Sequence, residues 1–124
     1  GLVFCLVQAA AAQLLVACVD YMEHWGLQRR VQADGRPQRL TAAHVWDCRN
    51  AVSDLMLFNL PRHAHHHTEP WHHADALRHT AASPQMPTGY AGMVLLTLVP
   101  PLFRRVMEPR LTQYAHRPPE TPHR

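Results

Sequence analysis

From Leu2 to Val19 the chain carries no charge, and its only polar side chains are Gln8 and Gln13. At 1.5 Å per residue such a run makes a helix of about 27 Å, close to a hydrocarbon core of about 30 Å. The pattern predicts a membrane-spanning helix over residues 1–20. A buried helix of a soluble protein has the same composition. A secretory signal peptide fits less well, because the basic leader is missing and the apolar run is too long. Asp20, Glu23 and His24 follow at i, i+3 and i+4, so they share a face where the helix leaves the bilayer. Tyr21 and Trp25 suit an interfacial aromatic belt. Gly26 ends or loosens the helix, and Ala33-Asp34-Gly35-Arg36-Pro37 predicts a turn.

A polar connection from Thr41 to Asn50 leads to a second helical pattern, capped by Asn50 or Ser53. Val52, Leu55, Met56 and Asn59 form one stripe, which His63, His66 and His67 continue. The stripe places these histidines on the buried face of one helix. Pro61 interrupts its hydrogen bonding, so the helix either kinks there or restarts. Pro70 ends it, and Ser83 to Tyr90 is a loop. Ala91 to Phe103 is apolar but too short to span a bilayer, and Pro100-Pro101 break it. It predicts an interfacial or re-entrant segment, with Arg104, Arg105 and Arg110 anchoring it to anionic headgroups. The whole pattern predicts an all-α integral membrane protein. Its parts are a transmembrane helix at 1–20, a cytoplasmic or interfacial region at 21–111 and a disordered tail at 112–124, rich in Pro and His from Tyr114 onward.

Composition adds chemistry to this outline. Eleven of the 124 residues are histidine, concentrated in Arg62-His63-Ala64-His65-His66-His67. On a helix His63, His66 and His67 fall within an arc of about 100°, so three imidazoles can converge, while His65 points the other way. Imidazole suits iron, zinc, copper and nickel. The bland alternative is a solvent-facing histidine-rich stretch. Burial of the stripe argues against it, because unpaired imidazoles on an apolar face cost free energy. Asn59, one turn before His63, stands within reach of a ligating imidazole. His24 alone has the ordinary reading of a solvated side chain near a membrane end. Glu23 beside it is placed to orient a neighbour or to face water. His65, His72, His73 and His79 read as supporting or surface residues, and His116 and His123 have no assigned role.

Arg29, Arg30, Arg36 and Arg39 follow the apolar run, which predicts that its C-terminal end, and the histidines beyond, face the cytoplasm. A net charge of +3 comes from scattered Arg without a dense basic patch, so nucleic acid is not an expected partner. Cys5 and Cys18 are about 20 Å apart along one helix, beyond disulfide reach, and Cys48 stands alone. No serine sits in a nucleophile-elbow context, and no phosphate loop, G-x-G-x-x-G or C-x-x-C is present. The chain begins within an apolar run without Met, so it is expected to be the C-terminal part of a longer membrane protein.

Four segments then carry a resemblance. Asp20-Tyr21-Met22-Glu23-His24-Trp25-Gly26-Leu27 resembles the N-Y-x-E-H-Y-G-L signature of membrane alkane 1-monooxygenases. Leu60-Pro61-Arg62-His63-Ala64-His65-His66-His67 is similar to that family's L-Q-R-H-S-D-H-H box. Pro87-Thr88-Gly89-Tyr90-Ala91-Gly92-Met93 and Val106-Met107-Glu108-Pro109-Arg110 are similar to its P-x-G-Y-P-G-M and V-M-D-P-R segments, in the same order. Histidine boxes alone would be shared with desaturases.

The resemblance implies a six-helix fold in the cell inner membrane, multi-pass, with a histidine-ligated di-iron centre on the cytoplasmic side. It implies terminal hydroxylation of medium- or long-chain alkanes with O2, with electrons from rubredoxin and rubredoxin reductase. The implied iron ligands are His24, His63, His66 and His67, the rest coming from upstream histidine boxes absent here. Asp20, Glu23, Asn59 and His65 are the candidates for supporting them. The chain also departs from the pattern. Trp25 replaces Tyr, His65 stands where Asp is usual, and Asn59 takes a position often held by His. Glu69-Pro70-Trp71-His72-His73-Ala74-Asp75 replaces H-P-T-R-x-Y-Q. Alternatives are a relative acting on xylene or on acyl chains, as hydroxylase or desaturase, and a non-catalytic histidine-rich metal-binding membrane protein.

Overall fold

The computed structural model describes residues 1–115. Five α-helices follow one another: α1 Leu2–His24, α2 Ala51–Met56, α3 His63–Thr68, α4 Tyr90–Thr97 and α5 Pro100–Ala115. Short 3-10 turns lie at Ala42–His44 and Ala74–Ala76, and no strand is present among the described residues. The chain is helical, and α1 is long and apolar enough to cross a membrane. Its first sixteen residues are exposed on every side, as lipid-facing positions would be.

Only the lower end of α1 packs into the protein, where Cys18, Met22 and Glu23 are buried. Met22, Trp46, Cys48, Met86, Tyr90, Met93, Phe103 and Met107 form the core, with Val19, Trp25 and Leu111 at its edge. Four methionines in this core let long flexible side chains fill the irregular gaps between short helices and loops. Trp25 meets Phe103 edge-on at 5.4 Å, and Tyr21 lies 5.1 Å from the same ring. The Trp46 indole donates to the Trp25 carbonyl at 2.8 Å, tying the central loop to the end of α1. Gly26 stops α1 with φ at +73°, a left-handed value that glycine adopts without steric penalty.

The second helical pattern is cut in two, which corrects the single stripe expected from Val52 to His67. Asn50 caps α2 by accepting the Ser53 backbone N–H at 2.9 Å. The helix stops at Met56, and Phe58 and Asn59 turn through φ of +51° and +64°. The chain therefore restarts at α3 with a new rotational register, the second of the two outcomes Pro61 allowed. Val52, Leu55 and Met56 consequently face outward, 70%, 80% and 69% exposed. The burial of α3 comes instead from Ala64, which packs on Ala42 and Val45.

Pro70 lies just beyond α3, whose last residue is Thr68, and α4 and α5 divide at Pro100 as the proline pair requires. α5 continues through Ala115, so residues 112–115 are helical rather than part of a disordered tail. The remainder of that expected tail, with His116 and His123, lies outside the described residues.

Candidate metal centre

The last turn of α1 and the first turn of α3 meet at a group of imidazoles. His24 comes from α1, and His63 and His67 come from successive turns of α3. Potential ligand atoms of the three lie within 4.8 Å of one another. The Nε2 atoms of His63 and His67 are 2.8 Å apart. The His24 ring centroid stands 5.5 Å from that of His63 and 5.0 Å from that of His67, both edge-on. His66 is exposed on the rim, its ring 6.0 Å from His63 and 5.9 Å from His67, and is not part of this close group.

Glu23 is the second element of the site. Its carboxylate is buried, with Oε2 3.1 Å from His63 Nε2, and Oε1 accepts the Tyr90 hydroxyl of α4. The Glu23 backbone carbonyl accepts from Trp46, so the main chain here is fixed as well. Burial, then the facing imidazoles of His67, His24 and His66, holds His63 down to about 3. The His63–Glu23 contact is therefore one of a neutral ring with a carboxyl group, not an ion pair. His67 is lowered by the same two causes. Burial first, and the Glu23 carboxylate second, push the Tyr90 hydroxyl above its ordinary range, so it stays a donor.

These donors fit a transition-metal ion. Burial keeps His63 and His67 in the neutral state that ligation needs. His63 Nε2 faces both His67 Nε2 and a Glu23 oxygen, and one ring nitrogen, carrying either a proton or a lone pair, makes a good hydrogen bond with only one of them. A cation among them relieves that conflict. The opposite ring nitrogen, His63 Nδ1, is buried without a hydrogen-bond partner among the described residues. A ligating histidine ordinarily donates that second N–H to an oxygen.

The remaining expected site residues fall elsewhere. Asp20 is exposed, with Oδ1 3.8 Å from His24 Nε2. Asn59 does not reach an imidazole. It donates to the Ala74 carbonyl at 2.9 Å, because its left-handed backbone swings the side chain toward that loop. His65 points away from the group, as its spacing predicted, and lies beside Glu69 and His72.

A network unforeseen in the sequence supports α3 from below. His79 bridges two carboxylates, with Nδ1 2.9 Å from Asp47 and Nε2 2.9 Å from Asp54. Asp54 also receives Arg62, at 3.1 and 3.2 Å, and Arg62 is the residue immediately before α3. Neither this network nor the role of Tyr90 has a periodic signal, because their members come from segments far apart in the chain. The conjunction of Glu23 with the Pro-Thr-Gly-Tyr segment was the available hint.

The sequence matches the fatty acid desaturase family over residues 1–97. The chain belongs to that family. This desaturase-family chain is 46% identical over 114 residues to alkane 1-monooxygenase 1 of Pseudomonas aeruginosa, covering 92% of the chain and 30% of that relative. Alkane 1-monooxygenase 2 of Alcanivorax borkumensis is also 46% identical over the same shares. Alkane 1-monooxygenase of Pseudomonas putida is 38% identical, over 93% of the chain and 29% of its own length. The desaturase-family chain thus spans about 30% of the length of the curated relatives it matches.

Proposed function

We propose that this chain is the C-terminal, ligand-bearing part of a membrane alkane 1-monooxygenase. The observation that carries the reading is the meeting of His24 with His63 and His67. They come from two separate motifs of a sequence 46% identical to proteins of that name. In this reading His24, His63 and His67 would hold one iron, and His66 on the rim would serve the other. Its further ligands come from the part of the relatives' length that this chain does not span. When bound, the iron pair supplies the O2 activation needed to hydroxylate an unactivated methyl group.

The chain's own residues have separable tasks. His63 and His67 are kept neutral by burial and so stay available as donors. Glu23, held by Tyr90, places a carboxyl oxygen beside His63 Nε2, the nitrogen that also faces His67, and so stands where it would share the ion. The outward apolar side chains of α1, such as Leu6, Val7, Leu14 and Leu15, offer an alkane a dry approach and exclude water. Residues 1–20 cross the inner membrane as one span of a multi-pass, six-helix protein, and 21–111 lie on its cytoplasmic side. That placement leaves the histidines accessible to rubredoxin, which its reductase recharges.

The family match itself favours a second reading, desaturation or hydroxylation of an acyl chain. Product analysis separates the two. The complete polypeptide carrying this chain is supplied in membranes with O2, rubredoxin, its reductase and NADH, and offered octane, xylene or a fatty acid. Octan-1-ol as the dominant product is expected. Products from the fatty acid or xylene, with octane untouched, would overturn the alkane assignment.

A further inference from the structure

A second cluster lies on the other side of α3. Glu69 Oε2 is 2.7 Å from His72 Nε2 and 3.8 Å from His65 Nε2. The two imidazoles stack nearly parallel, with centroids 5.3 Å apart and planes at 22°. Ligand atoms of all three residues fall within 4.8 Å of one another. We propose that His65, Glu69 and His72 form a second metal site, for a divalent transition ion of the zinc class, distinct from the His24–His63–His67 centre.

The local chain path builds the cluster. His65 and Glu69 stand one turn apart, joined by the Glu69 N–H to His65 carbonyl bond at 2.8 Å. Pro70 prevents a further turn, and the His72 N–H donates back to the Glu69 carbonyl at 3.2 Å. That reversal lays the His72 ring over the His65 ring. A hydrogen bond explains Glu69 with His72 alone. It does not explain why a second imidazole addresses the same carboxylate oxygen. Two imidazoles and one carboxylate are a zinc donor set that leaves a coordination position for water. A calcium or magnesium site would require more oxygens.

His65 and the Glu69–His72 stretch both stand where the chain departs from the alkane 1-monooxygenase pattern. Glu69 and His72 are 44% and 38% exposed, so an ion can enter from solvent. Once bound, it would staple the end of α3 to the turn beyond Pro70, and α3 carries His63 and His67.

Metal-stripped full-length protein is titrated with Zn2+ against a chromogenic chelator, and bound zinc is counted by mass spectrometry. Wild type is expected to bind one Zn2+ equivalent more than the Glu69→Gln/His72→Gln double variant. The same one-equivalent difference is expected in a His63→Ala/His67→Ala background, with His73→Gln leaving it intact. The proposal is overturned if the double variant binds as much zinc as wild type. It is also overturned if the His63→Ala/His67→Ala change removes that equivalent, or if His73→Gln lowers it as much as His72→Gln.

Discussion

Tyr90 donates its phenolic hydrogen to Glu23, so a residue at the start of α4 holds the carboxylate that faces His63. Both partners are buried. Tyr90→Phe leaves one carboxylate oxygen without its donor, a loss of about 1–3 kcal/mol for a buried group. Because Tyr90 positions a carboxyl group that stands among the candidate donors, metal affinity should also fall by about 10–100-fold. Thermal unfolding and metal competition measure the two effects separately. A destabilised Tyr90→Phe protein with wild-type metal affinity would reduce Tyr90 to a packing role.

The three histidines of the R-H-x-x-H-H motif should not behave alike. His63→Ala and His67→Ala each remove a donor from the group containing His24. Either should weaken the ion held there by more than the ~10–100-fold cost of losing an outer-shell partner. His66→Ala should retain that ion, since His66 stands on the exposed rim. In the complete protein it should lower total iron by the other atom only. Equal metal loss in all three variants would place His66 in the same site.

The apolar run and the proline breaks were legible because each acts within one segment. Leu2 to His24 is helical, and α5 starts at Pro100. The rotation of α3 was not legible. A stripe drawn from Val52 to His67 assumes constant helical twist, and two residues with positive φ destroy that assumption. The sequence nevertheless placed His63 and His67 together, because their i, i+4 spacing lies wholly within α3. Glu23 with Tyr90, and Asp47 with His79, are separated by 67 and 32 residues. No local periodicity reports contacts at that range.

Asp54 links α2 to Arg62, the residue preceding α3, and also meets His79. Asp54→Asn keeps the shape but removes the charge that two donors share. Hydrogen bonds to charged groups contribute about 1.5–3 kcal/mol, so a loss of about 2 kcal/mol is expected. Looser metal binding should accompany it, because Arg62 then no longer fixes where α3 begins. Unchanged stability and metal affinity would show that the network is dispensable.

Gly26 combines a left-handed backbone with a close neighbour. A Cβ at this position would lie 2.5 Å from Leu111 Cδ2 on α5. Gly26→Ala should cost about 1–2 kcal/mol for the backbone alone, with a steric cost added. Adding Leu111→Ala should recover the steric part and leave the backbone part. Thermal melts of the two single variants and the double variant resolve this cycle. Strict additivity would mean that Leu111 is not the obstruction.

Cys48 is buried, and its thiol donates to the Thr88 carbonyl at 3.3 Å. Burial first, then the nearby Asp47 and Asp54 carboxylates, pushes the thiol from 9.0 up to about 11. The unfolded thiol loses its proton first as pH climbs past 9.0, while the folded thiol keeps it until about 11. The associated stability is therefore full below the lower value and drains as pH approaches the upper one. At pH 8 the folded thiolate fraction is about a hundredfold below that of the unfolded chain. Alkylation by iodoacetamide at pH 8, followed by peptide mass spectrometry, should leave Cys48 unmodified in the folded protein. The same treatment in SDS should label it fully. Rapid labelling of the folded protein would show that the loop carrying Thr88 opens readily, and with it the packing that holds Tyr90 against Glu23.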